Sequence, residues 1–243
     1  MTEPLGSNNP RIQQLRRLAG RRSSRLEDGL FLVEGPTLVA EAVGAGWPLS
    51  AVYVEESALA LLPTGARPTV VRDGVLAKVM TVEAPRPIVA TAELRSLPLP
   101  ANATFVIVGA GLSDPGNLGT ILRTAEAAGA DGVVLTAGSV DPFSPKVVRS
   151  SAGAIFRVPV VVDGDPYALG LPLWGTVATG GVAYDQADLT APLALVMGNE
   201  AHGLPADFAL EGLLTIPHVG RTESLNVAMA AAVLCFEVAR QRR

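Results

Sequence analysis

The sequence has few of the residue types that form disulfides or bind metals. Cys235 is the single cysteine among 243 residues, and His202 and His218 are the two histidines. One cysteine excludes an intramolecular disulfide, and a Cys/His zinc site needs four ligands, more than these residues can supply. We therefore expect no bound metal, and we expect the protein to work in a reducing compartment, the cytoplasm.

Long apolar runs and a secretory signal are also missing. The longest uninterrupted apolar run, Val227 to Phe236, is shorter than the roughly 20 residues that span a bilayer. It is typical of a buried helix instead. The first residues include asparagines and arginines where a secretory signal requires an apolar stretch. The sequence therefore predicts neither membrane insertion nor export.

Charged residues make up only 17% of the sequence, and the net charge is −4. This is a poor match to nucleic acid, since neutralisation of phosphates contributes much of the affinity of proteins for it. The first 25 residues nevertheless contain six arginines against one acid, Glu3. Two interpretations stay open, a solvated basic arm and an arm that contacts RNA. The arginines are Arg11, Arg16, Arg17, Arg21, Arg22 and Arg25.

Short apolar runs alternate with stretches of helical periodicity, which predicts an α/β fold. A segment with two prolines and no periodicity, 96–102, separates two units. The expected domains are a basic arm at 1–28, a small α/β domain at 29–96, a linker at 97–103 and a C-terminal domain at 104–243. In the first unit we predict strands at 31–33, 51–54, 69–71 and 88–90, and helices at 36–43 and 74–80.

The second unit begins with a continuous apolar run, 105–108, typical of a central parallel strand covered on both faces. Near the C-terminus, apolar residues recur every three or four positions, which predicts a helix with this stripe towards a core. The stripe consists of Leu225, Met229, Val233 and Phe236. Further strands are predicted at 132–135, 158–162, 173–178, 193–197 and 213–216, and further helices at 118–128 and 146–153.

In an open parallel sheet, ligands bind at the carboxyl ends of the strands, so the loops there were compared with known binding patterns. The loop after 105–108 resembles a dinucleotide-binding fingerprint, but the third glycine would fall at Asp114. Its carboxylate would face a pyrophosphate, which disfavours an NAD-dependent oxidoreductase. Asn117 is predicted to cap the following helix, and a cap alone would explain it. Arg123 lies among apolar residues of that helix, where partial burial would require an anionic partner such as phosphate.

Two further loops, after 193–197 and 213–216, are rich in glycine and polar residues. His202 in the first of them could serve as a general base, but a histidine in a loop is commonly only solvated. Ser224 in the second would suit a helix N-cap, and the absence of a GxSxG motif around it leaves serine hydrolase chemistry unsupported.

Three segments together resemble the motifs of the SpoU/TrmH family of RNA 2′-O-ribose methyltransferases, in the SPOUT superfamily. Their order and spacing match across about residues 103–242, and three such motifs in sequence are highly specific. The stretch from Phe31 to Leu94 resembles the ribosomal-protein-like substrate-binding domain of many family members. The three segments are PGNLGTILRTAEAAG at 115–129, LVMGNEAHGL at 195–204 and IPHVGRTESLNVAMAAAV at 216–233.

The resemblance implies a C-terminal SPOUT domain, with a parallel sheet and a deep trefoil knot, and a smaller N-terminal α/β domain. It also implies S-adenosylmethionine held in the knot, a homodimer built around the C-terminal helix, and no metal. His202 stands at a position that varies in the family and is given no role. By position, the catalytic residues would be Asn117, Arg123, Glu200, Ser224 and Asn226, and the cofactor-binding residues Ala178, Thr179, Gly198, Ile216 and Leu225.

The expected reaction is methyl transfer from S-adenosylmethionine to a ribose 2′-hydroxyl. The additional N-terminal domain favours 23S ribosomal RNA, because the smaller transfer-RNA members of the family mostly manage with terminal helices. A guanidinium is a poor base, so Arg123 is expected to clamp a substrate phosphate while its field favours the developing alkoxide. Two alternatives remain, a transfer-RNA 2′-O-methyltransferase and a catalytically inactive RNA-binding module of the same fold. The complete polar set disfavours the second.

Overall fold

The computed structural model describes residues 3–62, 68–80 and 86–243. The chain forms two compact units. The first comprises Met1–Arg95 together with Phe143–Phe156, and the second comprises Ser96–Pro142 together with Arg157–Arg243. Within the described ranges, no helix combines the length and the apolar character needed to cross a membrane.

The first unit contains a mixed four-stranded sheet in the order β1-β4-β2-β3. The pairs β1/β4 and β4/β2 are antiparallel, and β2/β3 is parallel. The four predicted strands are all present, and helix α3 occupies the predicted position. The helix predicted at 74–80 is instead a short 3-10 turn, Leu76–Lys78. The elements are β1 Leu30–Glu34, α3 Pro36–Gly44, β2 Leu49–Glu55, a 3-10 helix Glu56–Leu61, β3 Pro68–Val71 and β4 Ile88–Glu93.

The arginine-rich segment differs from the separate arm expected at 1–28. It forms two helices, α1 Pro10–Gly20 and α2 Arg22–Asp28, that belong to the first unit. Ile12, Leu15 and Leu18 are fully buried against the sheet. Because these apolar residues recur every three positions, they form one buried stripe that the surrounding arginines obscure in the sequence.

The six arginines of these helices do not share one environment. Arg25 is buried, and its Nη1 donates a hydrogen bond to the Leu18 carbonyl oxygen at 2.6 Å. Arg25 therefore links the two helices and is not available to RNA, contrary to the prediction. Arg16 is half-buried. The arginines with exposed side chains are Arg11, Arg17, Arg21 and Arg22.

A second difference concerns residues 143–156, which the sequence placed in the C-terminal domain. They belong to the first unit, where Phe143 and Phe156 lie 5.0 and 6.4 Å from the ring of Phe31. Arg149 forms an ion pair with the buried Glu34. Helix α5, Pro145–Ser150, is shorter than predicted because Ala152 and Gly153 adopt left-handed backbone conformations. A 3-10 helix, Ala154–Phe156, follows.

The second unit contains a seven-stranded sheet in the order β7-β6-β5-β10-β8-β11-β9, with every adjacent pair parallel. Strands β5 and β10 are buried along their whole length, as their apolar runs predict. Strand β9 was not predicted, since it has only two residues. The strands are β5 Phe105–Gly109, β6 Gly132–Leu135, β7 Val160–Val161, β8 Leu173–Thr176, β9 Val182–Ala183, β10 Leu193–Met197 and β11 Gly212–Thr215, and a 3-10 helix spans Pro166–Leu169.

Two helices of the second unit pack against each other, α4 Pro115–Ala128 and α6 Val227–Gln241. Asp114, not Asn117, caps α4, because its side chain accepts a hydrogen bond from the Asn117 backbone N–H. Asn226, not Ser224, caps α6.

The orientation of α6 also differs from the prediction. Its buried residues are mostly small or aliphatic, such as Ala231 and Leu234, and also include Glu237. The predicted core stripe, which includes Met229 and Phe236, is exposed by 59% and 47% at these two positions. Because both faces are apolar, periodicity alone could not decide which of them is buried.

The burial of Arg25 leads to a prediction about stability. We expect Arg25→Ala to lower the free energy of unfolding by about 1–3 kcal/mol, because the buried Leu18 carbonyl loses its charged donor. The exposed Arg17 is a matched control, and Arg17→Ala should change stability by less than about 0.5 kcal/mol. Urea denaturation followed by circular dichroism measures both. Equal effects of the two substitutions would contradict a structural role for Arg25.

Candidate active site

A cavity of about 410 Å³ lies at the carboxyl ends of β8, β10 and β11. The loop after β5 is adjacent to it, since Met197 at the end of β10 pairs with Gly109 at the end of β5. Strand β8 ends at Thr176, two residues earlier than predicted, and this leaves Val177 and Ala178 free to line the cavity. The remaining lining residues are 197–200, 203–204, Leu214, Ile216, His218, 224–227, Ala230 and Leu234.

The Glu200 carboxylate joins the loop after β10 to the loop after β5. Its Oε2 accepts hydrogen bonds from the Ser113 backbone N–H at 3.0 Å and the Ser113 hydroxyl at 2.7 Å. Its Oε1 accepts from the Asp114 backbone N–H at 3.1 Å and from Asn117 Nδ2 at 3.0 Å. Four donors therefore converge on one anion. Such charge-assisted hydrogen bonds are about twice as strong as neutral ones.

Asn117 continues this network to the third loop. Its Oδ1 accepts a hydrogen bond from Asn226 Nδ2 at 2.9 Å. The Oδ1 atom of Asn226 in turn accepts from the backbone N–H groups of Ala228 and Met229 in the first turn of α6. Glu200, Asn117 and Asn226 thus form a continuous chain of hydrogen bonds across three loops that are far apart in the sequence. We call it the Glu200 network.

The hydrogen bonds shift the ionisation of Glu200. Partial burial by itself raises the pKa of this carboxyl, but the hydrogen bonds from Asn117 and Ser113 outweigh burial and lower the pKa to about 2. Glu200 is therefore ionised at neutral pH. A carboxylate held in this way accepts hydrogen bonds and does not serve as a proton donor.

A second set of contacts closes the loop that carries Glu200. Asn199 and Gly203 exchange two backbone hydrogen bonds, at 2.8 and 2.9 Å. A Cβ atom at Gly198 would lie 2.5 Å from the carbonyl carbon of Gly203, so only glycine fits there. The Asn199 side chain donates to the Gly111 carbonyl at 2.7 Å and accepts from two backbone N–H groups of its own loop. Asn199 was not among the predicted site residues, although it stands directly between two of them.

The structure brings together most of the residues predicted by position. Glu200, Ser224 and Asn226 line the cavity, and Asn117 is hydrogen-bonded to two of them. Arg123 does not line the cavity. Its side chain is exposed on α4 and forms no ion pair within the described ranges, in contrast to the expected partial burial. Of the predicted cofactor-binding residues, Thr179 is outside the lining, whereas Ala178, Gly198, Ile216 and Leu225 are part of it.

The lining of the cavity also includes His218, which the sequence left without a role. Its Nε2 atom is buried and has no hydrogen-bond partner within the described residues. No sequence signal could have shown this, because an unmet hydrogen bond depends on the tertiary surroundings of the side chain.

The chain was compared with protein-family models and with known proteins. Residues 104–236 match the SpoU rRNA Methylase family, and residues 9–90, which include α1 and α2, match the MRM3-like substrate binding domain. Over 242 residues the chain is 33% identical to the 23S rRNA (guanosine(2553)-2'-O)-methyltransferase RlmP of Bacillus subtilis, covering 96% of this chain and 97% of that protein.

A curated relative and a solved structure from Streptomyces viridochromogenes are similar along nearly the whole chain. The 23S rRNA (uridine(2479)-2'-O)-methyltransferase is 32% identical over 262 residues, which covers 97% of this chain and 91% of that protein. The crystal structure of the SpoU methyltransferase AviRb in complex with the cofactor AdoMet superposes with a TM-score of 0.86, at 30% identity. It covers 97% of this chain and 98% of that chain.

The lowered pKa of Glu200 leads to a prediction for Glu200→Gln. A group whose pKa is lower in the folded state contributes stability above its unfolded pKa, here 4.5, and loses it as the pH falls towards the folded value of about 2. After allowance for solvent screening, we expect Glu200→Gln to cost about 1 kcal/mol at pH 7. This difference should shrink between pH 4.5 and 2.

Urea denaturation at several pH values measures the effect. The exposed Glu211 forms no side-chain hydrogen bond within the described residues, and Glu211→Gln is the control. A wild-type advantage over Glu200→Gln that stays constant between pH 6 and 3 would contradict the assigned ionisation.

Proposed function

The chain belongs to the SpoU rRNA Methylase family, and from this we propose that it transfers a methyl group from S-adenosylmethionine to a ribose 2′-hydroxyl of 23S ribosomal RNA. The observation that carries this proposal is the Glu200 network, which ties three loops into one site beside a cavity. The network supplies polar side chains that can orient a ribose, and the cavity supplies space for a cofactor. The near-complete alignment with two 23S rRNA 2′-O-methyltransferases supports the choice of substrate.

The residues of the cavity fit S-adenosylmethionine. A volume of about 410 Å³ lies in the range of small-molecule sites. The lining includes the apolar residues Leu214, Ile216 and Leu234, which can pack against a purine ring. Among the described residues that line the cavity there is no lysine or arginine, and the one carboxylate is that of Glu200, so the charge of the site suits a cation. When bound, the cofactor supplies a methyl group on a positively charged sulfonium, which needs no metal to become electrophilic.

The polar residues position the acceptor sugar. The amide of Asn117 is fixed on both sides, because it donates to Glu200 and accepts from Asn226. The Ser224 side chain is exposed at the edge of the cavity, where it can contact the ribose. Holding the reacting atoms in line accounts for much of the barrier reduction in a group transfer of this kind.

Arg123 acts on the RNA from outside the cavity. It is an exposed cation on α4, the helix whose first turn carries Asn117. A guanidinium is a poor general base, so Arg123 clamps a phosphate of the substrate, and its field stabilises the alkoxide that develops on the 2′-oxygen.

The first unit supplies further contacts to RNA. Exposed guanidinium groups on α1 and α2 present positive charge in a chain that is acidic overall. Phosphate contacts of this type increase affinity without selecting a base. Arg25 is not part of this surface, because it is buried. The RNA-binding residues are Arg11, Arg16, Arg17, Arg21 and Arg22.

The family also implies a path for the chain and a location in the cell. In the deep trefoil knot of the SPOUT fold, the C-terminal segment threads through a loop of the chain. The match of residues 104–236 to the SpoU rRNA Methylase family supports this path. The proposed ribosomal RNA substrate supports a location in the cytoplasm.

A homodimer through α6 would cover an apolar surface. The exposed stripe of this helix includes Met229, Val233 and Phe236, and Leu225, also exposed, lies two residues before the helix begins. Exposed apolar stripes next to a functional site are typical of interaction surfaces. A second copy of the chain is the occupant that matches, since two identical stripes are complementary about a twofold axis.

We expect Met229→Glu combined with Phe236→Glu to convert the dimer to a monomer, because the charges would be buried at the interface without partners. Analytical ultracentrifugation measures the molecular mass. Val43 is an apolar residue of α3 with similar exposure, and Val43→Glu should leave the dimer intact. A wild-type protein that sediments as a monomer at micromolar concentration would contradict the proposed dimer.

The function is tested by methylation of RNA with the purified protein and labelled S-adenosylmethionine. We expect incorporation of one methyl group into 23S RNA at a ribose, detected as resistance of one phosphodiester to alkaline cleavage. Comparison of 2′-O-methyl sites in a deletion strain and its parent identifies the nucleotide. Exclusive methylation of transfer RNA would favour the transfer-RNA alternative, and failure to bind S-adenosylmethionine would favour the inactive module.

The same assay tests the role of Arg123. We expect Arg123→Ala to lower kcat/KM for RNA more than tenfold, which corresponds to about 1.4 kcal/mol of transition-state stabilisation. The affinity for S-adenosylmethionine should stay unchanged, because Arg123 lies outside the cavity. The neighbouring exposed Glu126 on α4 offers a control in Glu126→Ala. Activity of Arg123→Ala within tenfold of wild type would rule out the phosphate clamp.

A further inference from the structure

His218 lines the cavity and carries a buried polar atom that no residue described by the structure satisfies. Its Nε2 atom is buried and lacks a hydrogen-bond partner among the described residues. An imidazole nitrogen always carries either a proton to donate or a lone pair to accept with. Buried polar atoms in native proteins are nearly always paired, and an exception next to a ligand site points to a partner on the ligand.

The other polar side chains of the lining are already occupied. Thr176 Oγ1 donates to the Val196 carbonyl at 3.0 Å, and Asn199 is engaged through both ends of its amide. Glu200 and Asn226 are taken up by the Glu200 network. Ser224 is exposed, so solvent can satisfy its hydroxyl. His218 is thus the lining residue whose buried polar side-chain atom has no partner in the part of the chain that the structure describes.

The position of His218 follows from the strand that precedes it. Leu214, Ile216 and His218 all line the cavity, at a spacing of two residues, whereas Pro217 between them is exposed. Alternation of this kind continues the two faces of β11 beyond its last residue. His218 therefore lines the cavity together with two apolar residues that can pack against a purine ring.

We propose that His218 is a cofactor-binding residue whose Nε2 hydrogen-bonds the adenosine part of S-adenosylmethionine. This inference rests on the proposed function, because it takes the cavity as the cofactor site. The adenosine part offers hydroxyl groups, ring nitrogens and an exocyclic amine, so either tautomer of the imidazole finds a partner there.

Isothermal titration calorimetry of the full-length protein tests the assignment, with S-adenosylhomocysteine and 5′-methylthioadenosine as probes. We expect His218→Leu to weaken the binding of both compounds by about three- to tenfold, the usual effect of one lost hydrogen bond. His218→Gln, whose amide nitrogen can reach the position of Nε2, should stay within about twofold of wild type. His202→Gln is the matched control, since the side chain of His202 does not line the cavity, and it too should leave both affinities unchanged.

Thermal unfolding supplies an independent readout. Without ligand, His218→Leu should melt at or above the wild-type temperature, because an apolar group replaces an unsatisfied buried nitrogen. With saturating S-adenosylhomocysteine, the rise in Tm should be smaller than in wild type. A residue that merely supported the fold would lower Tm without ligand and would leave the ligand-induced rise intact.

The possible results separate the role of His218 from the proposed function. Unchanged affinity of His218→Leu for S-adenosylhomocysteine, with normal binding by wild type, would overturn this assignment and leave the proposed function standing. A loss seen with S-adenosylhomocysteine and absent with 5′-methylthioadenosine would overturn the assignment to the adenosine part. If the wild-type protein bound neither compound, the proposed function would fail together with this inference.

Discussion

The arrangement of the site depends on the hydrogen bonds that the Glu200 carboxylate accepts. Four hydrogen bonds from Ser113, Asp114 and Asn117 converge on it. They hold the loop after β10 against the loop after β5. Because Asn117 also accepts from Asn226, the same carboxylate indirectly fixes the start of α6. Without this anion, the donors of three segments would lose their common acceptor, and the cavity would lose the frame that sets its shape.

The polar residues of the site differ in whether their side chains are bound within the Glu200 network or exposed. Glu200 and Asn226 have their side-chain oxygens committed to hydrogen bonds within the chain, so they organise the site rather than exchange protons. Arg123 and Ser224 have exposed side chains and stay available to a large substrate. His218 lines the cavity. Under the proposed function, Arg123 would contact only the substrate and His218 only the cofactor, whereas Ser224 stands at the edge of the cavity between them.

Much of this arrangement could be predicted from the sequence, because buried strands and motif spacing leave a clear trace in it. The apolar runs predict the buried strands β5 and β10, and the three motifs identify Glu200, Asn117 and Asn226, which hydrogen bonds join in the structure. Other features leave no such trace. In α1, the arginines around Ile12 and Leu15 make the periodicity of the buried residues difficult to recognise in the sequence. Helix α6 has two apolar faces, and the sequence does not show which of them is buried. Arg123 is exposed although its neighbours are apolar, because the exposure of one side chain depends on the packing of the whole helix.

The membership of residues 143–156 in the first unit bears on how the protein is made. Phe143 and Phe156 complete an aromatic cluster with Phe31 and Trp47, and Arg149 neutralises the buried Glu34. During translation, the amino-terminal unit cannot finish its core until well over half of the chain has left the ribosome. For the same reason, neither unit is encoded by a single continuous stretch of the sequence. A gene fragment that ended at Arg95 would encode a domain that lacks residues 143–156 of its core. Recombination can therefore transfer the intact domain only together with this distant segment.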